Sequence, residues 1–109
     1  MEELRTLPDY LKATNTDGVV ILQATATWCS QCKAIAPAVE KMVQQFPEAK
    51  WYKYDPDSAG DIAQELGVSQ MPVFTIFKDG DLVDSVAGAR AKVLEEKVGG
   101  VYEGRRVEV

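Results

Sequence analysis

The feature that most constrains this chain is an apolar strand that runs directly into a pair of cysteines. Val19-Val20-Ile21-Leu22-Gln23-Ala24 is β-branched and apolar at nearly every position instead of alternating. A run of that kind reads as a central strand covered by helices on both faces. After Thr27-Trp28-Cys29 a helix begins. Its apolar residues Ile35, Val39, Met42 and Phe46 recur at spacings of four, three and four, which makes one buried stripe. Pro37 lies inside the stripe and predicts a kink, because proline has no N–H to donate. Pro47 stops the helix.

The remaining elements follow from the same rules. A brief strand around Glu3 to Arg5 precedes a helix over 6–14, where Thr6 caps, Pro8 sits early and Leu7 and Leu11 form the apolar face. Asp17-Gly18 turns the chain into the central strand. Trp51 to Asp55 is a further strand. Ser58 with Asp61 is expected to cap a helix carrying Ile62, Ala63 and Leu66, and Gly67 ends it. Val73 to Phe77 and Leu82 to Val86 flank Asp79-Gly80, the strongest hairpin turn in the chain. A last helix spans roughly Ala91 to Tyr102, with Leu94, Val98 and Val101 inward. Strands separated by helices imply right-handed crossovers and parallel pairing, and the late hairpin adds antiparallel strands. The expectation is an α/β fold, a central mixed sheet of four to five strands flanked by about four helices on both faces. At 109 residues it forms one domain, 1–109, with 104–109 as a flexible tail.

Composition excludes several functions. The net charge is −5, and Lys and Arg cluster nowhere except Arg105-Arg106, so nucleic acid and anionic membrane are poor partners. Val19 to Leu22 is too short to span a bilayer, and Met1-Glu2-Glu3-Leu4-Arg5 lacks the basic start of a secretory signal. A soluble, cytoplasmic monomer is expected. Two cysteines are too few for a disulfide-stapled secreted domain, and a bridge across a two-residue gap staples almost nothing. A closed zinc site needs four ligands, and the chain has no His and no third Cys, so no metal is expected. Inert buried thiols are the remaining plain reading, and the position between strand and helix speaks against it.

That position carries chemistry. A sulfur at a helix start meets N–H groups without intrahelical partners and the positive end of the helix dipole, and both favour thiolate. Cys32 lies one turn on, within reach. Cys29 would attack a substrate disulfide, and Cys32 would then attack Cys29 and release the reduced substrate.

Over nearly its full length the chain resembles the thioredoxin family. The resemblance rests on Ala26-Thr27-Trp28-Cys29-x-x-Cys32-Lys33, Ile35-Ala36-Pro37, Lys53 with Asp55 and Asp57, Val68-Ser69-Gln70-Met71-Pro72-Val73, Phe77-Lys78-Asp79-Gly80 and Ala87-Gly88-Ala89. It implies the thioredoxin fold and a protein-disulfide reductase, with no bound cofactor. Electrons would come from NADPH through a thioredoxin reductase, and the partners would be that reductase and disulfide-containing proteins. It also implies that Pro72 follows a cis bond and faces the two sulfurs; the alternative is a proline that simply starts a strand. Met71 would offer its backbone to an extended substrate. Trp28, Ser30, Gln31, Met71, Pro72, Ala87, Gly88 and Ala89 would form the groove around Cys29. Lys33 reads as a solvated helix residue with a mild influence on the thiolate. A more oxidising relative acting as oxidase or isomerase, a binding module with incidental cysteines, and a dimer sharing an iron–sulfur cluster are the competing readings.

Three positions depart from the family pattern. Ser30-Gln31 replaces the usual Gly-Pro, so residue 31 keeps an N–H that is expected to donate to a Cys29 thiolate and make the couple more oxidising. Gln23 stands where the family usually has a buried Asp that takes the proton of the second cysteine, and an amide cannot take it. Lys53, the usual companion of that Asp, is left without it. Thr25 replaces a usual Trp, so the packing beneath the site is expected to differ from the family's.

Overall fold

All six residues of β2 (Val19–Ala24) are buried, because the strand is paired along both edges and covered on both faces. The computed structural model describes residues 1–109. The other elements are β1 (Glu2–Glu3), α1 (Leu7–Thr14), α2 (Ser30–Gln45), β3 (Lys50–Tyr54), α3 (Gly60–Leu66), β4 (Val73–Lys78), β5 (Asp81–Ala87) and α4 (Ala91–Val101). The five-stranded sheet has the order β1-β3-β2-β4-β5. β3 is parallel to β1 and β2, while β4 is antiparallel to β2 and β5. This is the mixed sheet with four helices that the alternation of elements predicts.

The two-residue period of a strand divides the core in two. Val19 and Ile21 point to one face, where Trp51, Phe74 and Ile76 meet Ile35, Val39, Met42 and Phe46 of α2 and Leu94 and Val98 of α4. Val20, Leu22 and Ala24 point to the other, against Tyr54, Phe77, Tyr10 and Ile62 beneath α1 and α3. The stripe read on α2 is therefore the stripe it buries, and α2 runs from Ser30 to Gln45 with Pro37 inside it. Asp79 and Gly80 both take positive φ, 51° and 88°, which suits a two-residue hairpin between β4 and β5. The Asp79 carboxylate accepts from the Gly18 N–H at 2.7 Å, so this turn also anchors the entry to β2.

Four expectations change. The apolar face of α1 includes Leu7, which is half-buried against the core, but not Leu11, which is exposed; Tyr10, Ala13 and Thr14 are buried instead. The helix is rotated so that the larger Tyr10 ring meets Phe77 edge-on, with centroids 6.1 Å apart. α3 starts at Gly60 with no side-chain cap, since Asp61 instead accepts from the Leu7 N–H at 2.8 Å and ties α3 to α1. β1 occupies Glu2–Glu3, because its register against Tyr52 and Lys53 ends there. The 104–109 segment, expected to be a flexible tail, is held at several points. Arg105 N–H donates to Glu48 at 2.6 Å, Val107 N–H donates to the Gln45 carbonyl at 2.9 Å, and the Arg106 guanidinium lies over the Phe46 ring.

Tyr54 is fully buried, and its hydroxyl has no hydrogen-bond partner. Burial pushes its pKa from 10.0 up to about 12, with the neighbouring Tyr10 adding a smaller increment. A buried hydroxyl without a partner costs its desolvation. Tyr54→Phe is therefore expected to be as stable as the wild type or more so, by up to about 1 kcal/mol near pH 7, in urea denaturation. The unfolded chain gives up this proton near pH 10 while the folded chain holds it to about 12, so wild-type stability falls as pH rises through that window. The fall should be smaller in Tyr54→Phe. A variant clearly less stable at neutral pH would mean that the hydroxyl is satisfied.

Candidate active site

β2 delivers the chain to the site, and its end decides where the cysteines lie. The Thr25 N–H still bonds the Tyr54 carbonyl at 2.9 Å, and the Cys29 N–H closes a turn onto Ala26 at 3.2 Å. Cys29 is the N-cap of α2, in extended backbone conformation, and its Sγ accepts the Cys32 N–H at 3.2 Å. Ser, Thr, Asp or Asn usually fills this role with an oxygen, and here a sulfur does so. In the reduced state the same N–H and the helix dipole favour negative charge on Cys29. Cys29 and Cys32 form a disulfide with Cα atoms 5.3 Å apart.

The donor differs from the one expected at residue 31. From an N-cap at 29, Cys32 is the third helical residue, the position whose N–H points back at the cap. In the disulfide form the Cys32 N–H is the one that reaches Cys29 Sγ. Exposure does not separate the two thiols, at 6% for Cys29 and 4% for Cys32. They are separated by position: one caps the helix and the other lies inside its first turn.

The residues expected to form the groove differ in placement and exposure. Met71 packs against a small buried cluster of Ala26, Cys29 and Cys32. The Met71–Pro72 peptide is cis, as the resemblance implied. The Pro72 carbonyl accepts the Gly88 N–H at 2.8 Å, which draws the Ala87-Gly88-Ala89 segment beside it, and Gly88 takes φ 89°. Trp28 is 66% exposed, unusual for so large an apolar ring. Ser30 and Gln31 are exposed on the first turn.

Gln23, Lys53, Thr25 and Lys33 lie apart from that groove. With Cys32 and Trp51 they line a cavity of about 670 Å³ between α2 and the ends of β2 and β3. Gln23 and Lys53 are register partners on adjacent strands. Trp51 and the cavity itself escaped the sequence reading. The one signal for them was Thr25, a small side chain where a large ring was expected. No cluster of three or more His, Cys, Asp or Glu side chains is placed to hold a metal ion, and no helix is long and apolar enough to cross a membrane.

The thioredoxin family model matches residues 6–99. Thioredoxin-1 of Saccharomyces cerevisiae is 38% identical over 96 residues, covering 88% of this chain and 93% of that protein. Thioredoxin Asp f 29 of Aspergillus fumigatus is 42% identical over 89 residues, covering 80% and 81%. The X-ray structure of Fasciola hepatica thioredoxin superposes with a TM-score of 0.87 at 33% identity, over 93% of this chain and 99% of that one. Oxidised mitochondrial thioredoxin 3 of Saccharomyces cerevisiae superposes with a TM-score of 0.89 at 31% identity, over 92% and 94%. Agreement at this level, in sequence and in three dimensions alike, places the chain in the thioredoxin family, and it is a protein thiol–disulfide oxidoreductase.

Proposed function

We propose that this protein reduces disulfides in partner proteins, with Cys29 as nucleophile and Cys32 as resolving thiol. The observation that carries the reading is the hydrogen bond from the Cys32 N–H to Cys29 Sγ at the helix N-cap. A thiolate held there attacks one sulfur of a substrate disulfide and forms a mixed disulfide, and the other substrate sulfur leaves with the electron pair. Cys32 then loses its proton and attacks Cys29. The Cys29–Cys32 bond forms, the Cys29–substrate bond breaks, and the substrate departs reduced.

The groove reading is supported by Met71, which lies before the register of β4 and whose N–H and C=O enter none of the turn and loop hydrogen bonds. A free backbone pair beside the sulfurs suits an extended substrate segment added edge-on. Gly88 is bonded to Pro72 next to it, and Trp28, Gly88 and Ala89 would contact the substrate side chains. The oxidised form is returned to the dithiol by a thioredoxin reductase drawing on NADPH, so no cofactor resides on this chain. A cytoplasmic monomer is part of the same proposal.

The direct test is insulin reduction driven by NADPH and thioredoxin reductase. Turnover is expected for the wild type and none above background for Cys29→Ser, while Cys32→Ser should accumulate a covalent adduct visible by mass spectrometry. Equal activity in wild type and Cys29→Ser would refute the assignment. Trp28→Ala should lower kcat/KM for insulin by about tenfold, the loss of roughly 1.4 kcal/mol of contact. It should leave the rate with a small aromatic disulfide within about twofold, since a groove contact serves binding and not bond exchange.

A further inference from the structure

Asp-Gly occurs twice in the chain, as Asp17-Gly18 in the bend before β2 and as Asp79-Gly80 in the turn between β4 and β5. The dipeptide is chemically labile. The glycine nitrogen attacks the side-chain carboxyl of the preceding aspartate in its acid form. The carboxyl hydroxyl departs as water with the amide proton, and a succinimide ring closes. Water then opens the ring at either carbonyl and leaves aspartate or isoaspartate, in which the backbone runs through the former side chain. Glycine favours the attack because it has no Cβ to obstruct it and turns freely in φ and ψ. Gly18 and Gly80 take φ of 85° and 88°, so each position needs its glycine. Asp17 and Asp79 are exposed, and water reaches both.

The fold sets these two dipeptides against each other. The Gly18 N–H donates to Asp79 Oδ1 at 2.7 Å, and the Asp79 N–H donates to the Gly18 carbonyl at 3.0 Å. The first of these bonds ties up one reactant of each ring closure. The Gly18 nitrogen is the nucleophile for Asp17, and the Asp79 carboxyl is the electrophile for Gly80. A succinimide nitrogen carries no hydrogen, so closure at Asp17 must give up the bond to Asp79. Closure at Asp79 must withdraw that carboxyl from Gly18. A short bond to an ionised carboxylate is among the stronger ones to lose.

We propose that the hydrogen bond from Gly18 to Asp79 protects both Asp-Gly peptides from isomerisation, and that modification at Asp17 exposes Asp79. Isoaspartate at 17 inserts one more atom into the backbone ahead of Gly18. Its N–H then moves off Asp79, and that carboxyl becomes free for attack by Gly80.

The test ages the folded protein for weeks at mildly acidic pH, below its unfolding temperature. Trypsin then releases 13–33 and 79–90, which carry one Asp-Gly each, and electron-transfer fragmentation counts the isoaspartate. Asp79→Gly removes the carboxylate and keeps the positive φ accessible. It is expected to speed isomerisation at Asp17 by about tenfold, equivalent to roughly 1.4 kcal/mol of lost protection. Val98→Ala loosens the core beneath α4 and leaves the turn intact, so the Asp17 rate should stay close to that of the wild type. Wild-type protein already isomerised at Asp17, separated by chromatography and aged again, should isomerise at Asp79 faster than fresh protein.

An Asp17 rate unchanged in Asp79→Gly would overturn the proposal. A slower one would do so as well, and would mark Asp79 as a base that draws the proton from Gly18. Equal acceleration in Val98→Ala would assign the reaction to opening of the whole fold. If Asp79→Gly does not fold, the re-aged protein decides alone, and an Asp79 rate no faster than in fresh protein refutes the protection.

Discussion

A backbone amide aimed at a sulfur is the interaction on which the function of this chain depends. The Cys32 N–H reaches Cys29 Sγ only because Cys29 is the residue at which extended chain becomes α2. If the helix began one residue earlier or later, Cys29 would no longer be the cap toward which the N–H of the third helical residue points. The location of that boundary is therefore the main structural decision. It is enforced from behind by β2, which is bonded on both edges and cannot slip by one residue without exchanging its two buried faces.

The same sheet explains why so little else is needed near the sulfurs. β2 and β3 end side by side, and their next-to-last residues, Gln23 and Lys53, lie on the face toward α2. The β4 segment, entered through Met71 and Pro72, closes the other side, and the Pro72 carbonyl fastens the Gly88 turn. Two sides of the site are thus separate. Met71 and Gly88 belong to the first, while Gln23, Lys53 and Trp51 line the second. Cys32 lies between them, bonded to Cys29 and bordering the cavity.

Gln23 and Thr25 change the second side together. An amide in place of a carboxylate removes a charge that would have faced Lys53, and a threonine in place of a large ring leaves space. Neither substitution touches the N-cap. The site keeps its cap while the cavity wall differs, a separation that the geometry permits because Cys29 does not line the cavity.

Much of this was legible in the residues alone. The doubly apolar β2 run, the α2 stripe and the Asp79-Gly80 turn are local patterns whose period states which side is buried, and each was read correctly for that reason. The face of α1 was misread at Leu11, which matches a helical period with Leu7 as well as Tyr10, Ala13 and Thr14 do, and contact with Phe77 favours the Tyr10 side. The cap of α3 was misread because Asp61 has a competing donor 54 residues away in the chain. Sequence by itself determined the cysteine spacing, the strand-to-helix junction and hence the kind of chemistry, since these depend on neighbours within one turn. Tertiary structure alone decided what surrounds Cys32, and that Gln23 of β2 and Lys53 of β3 meet α2 around one cavity, because those relations join separate strands and a helix that no local period connects.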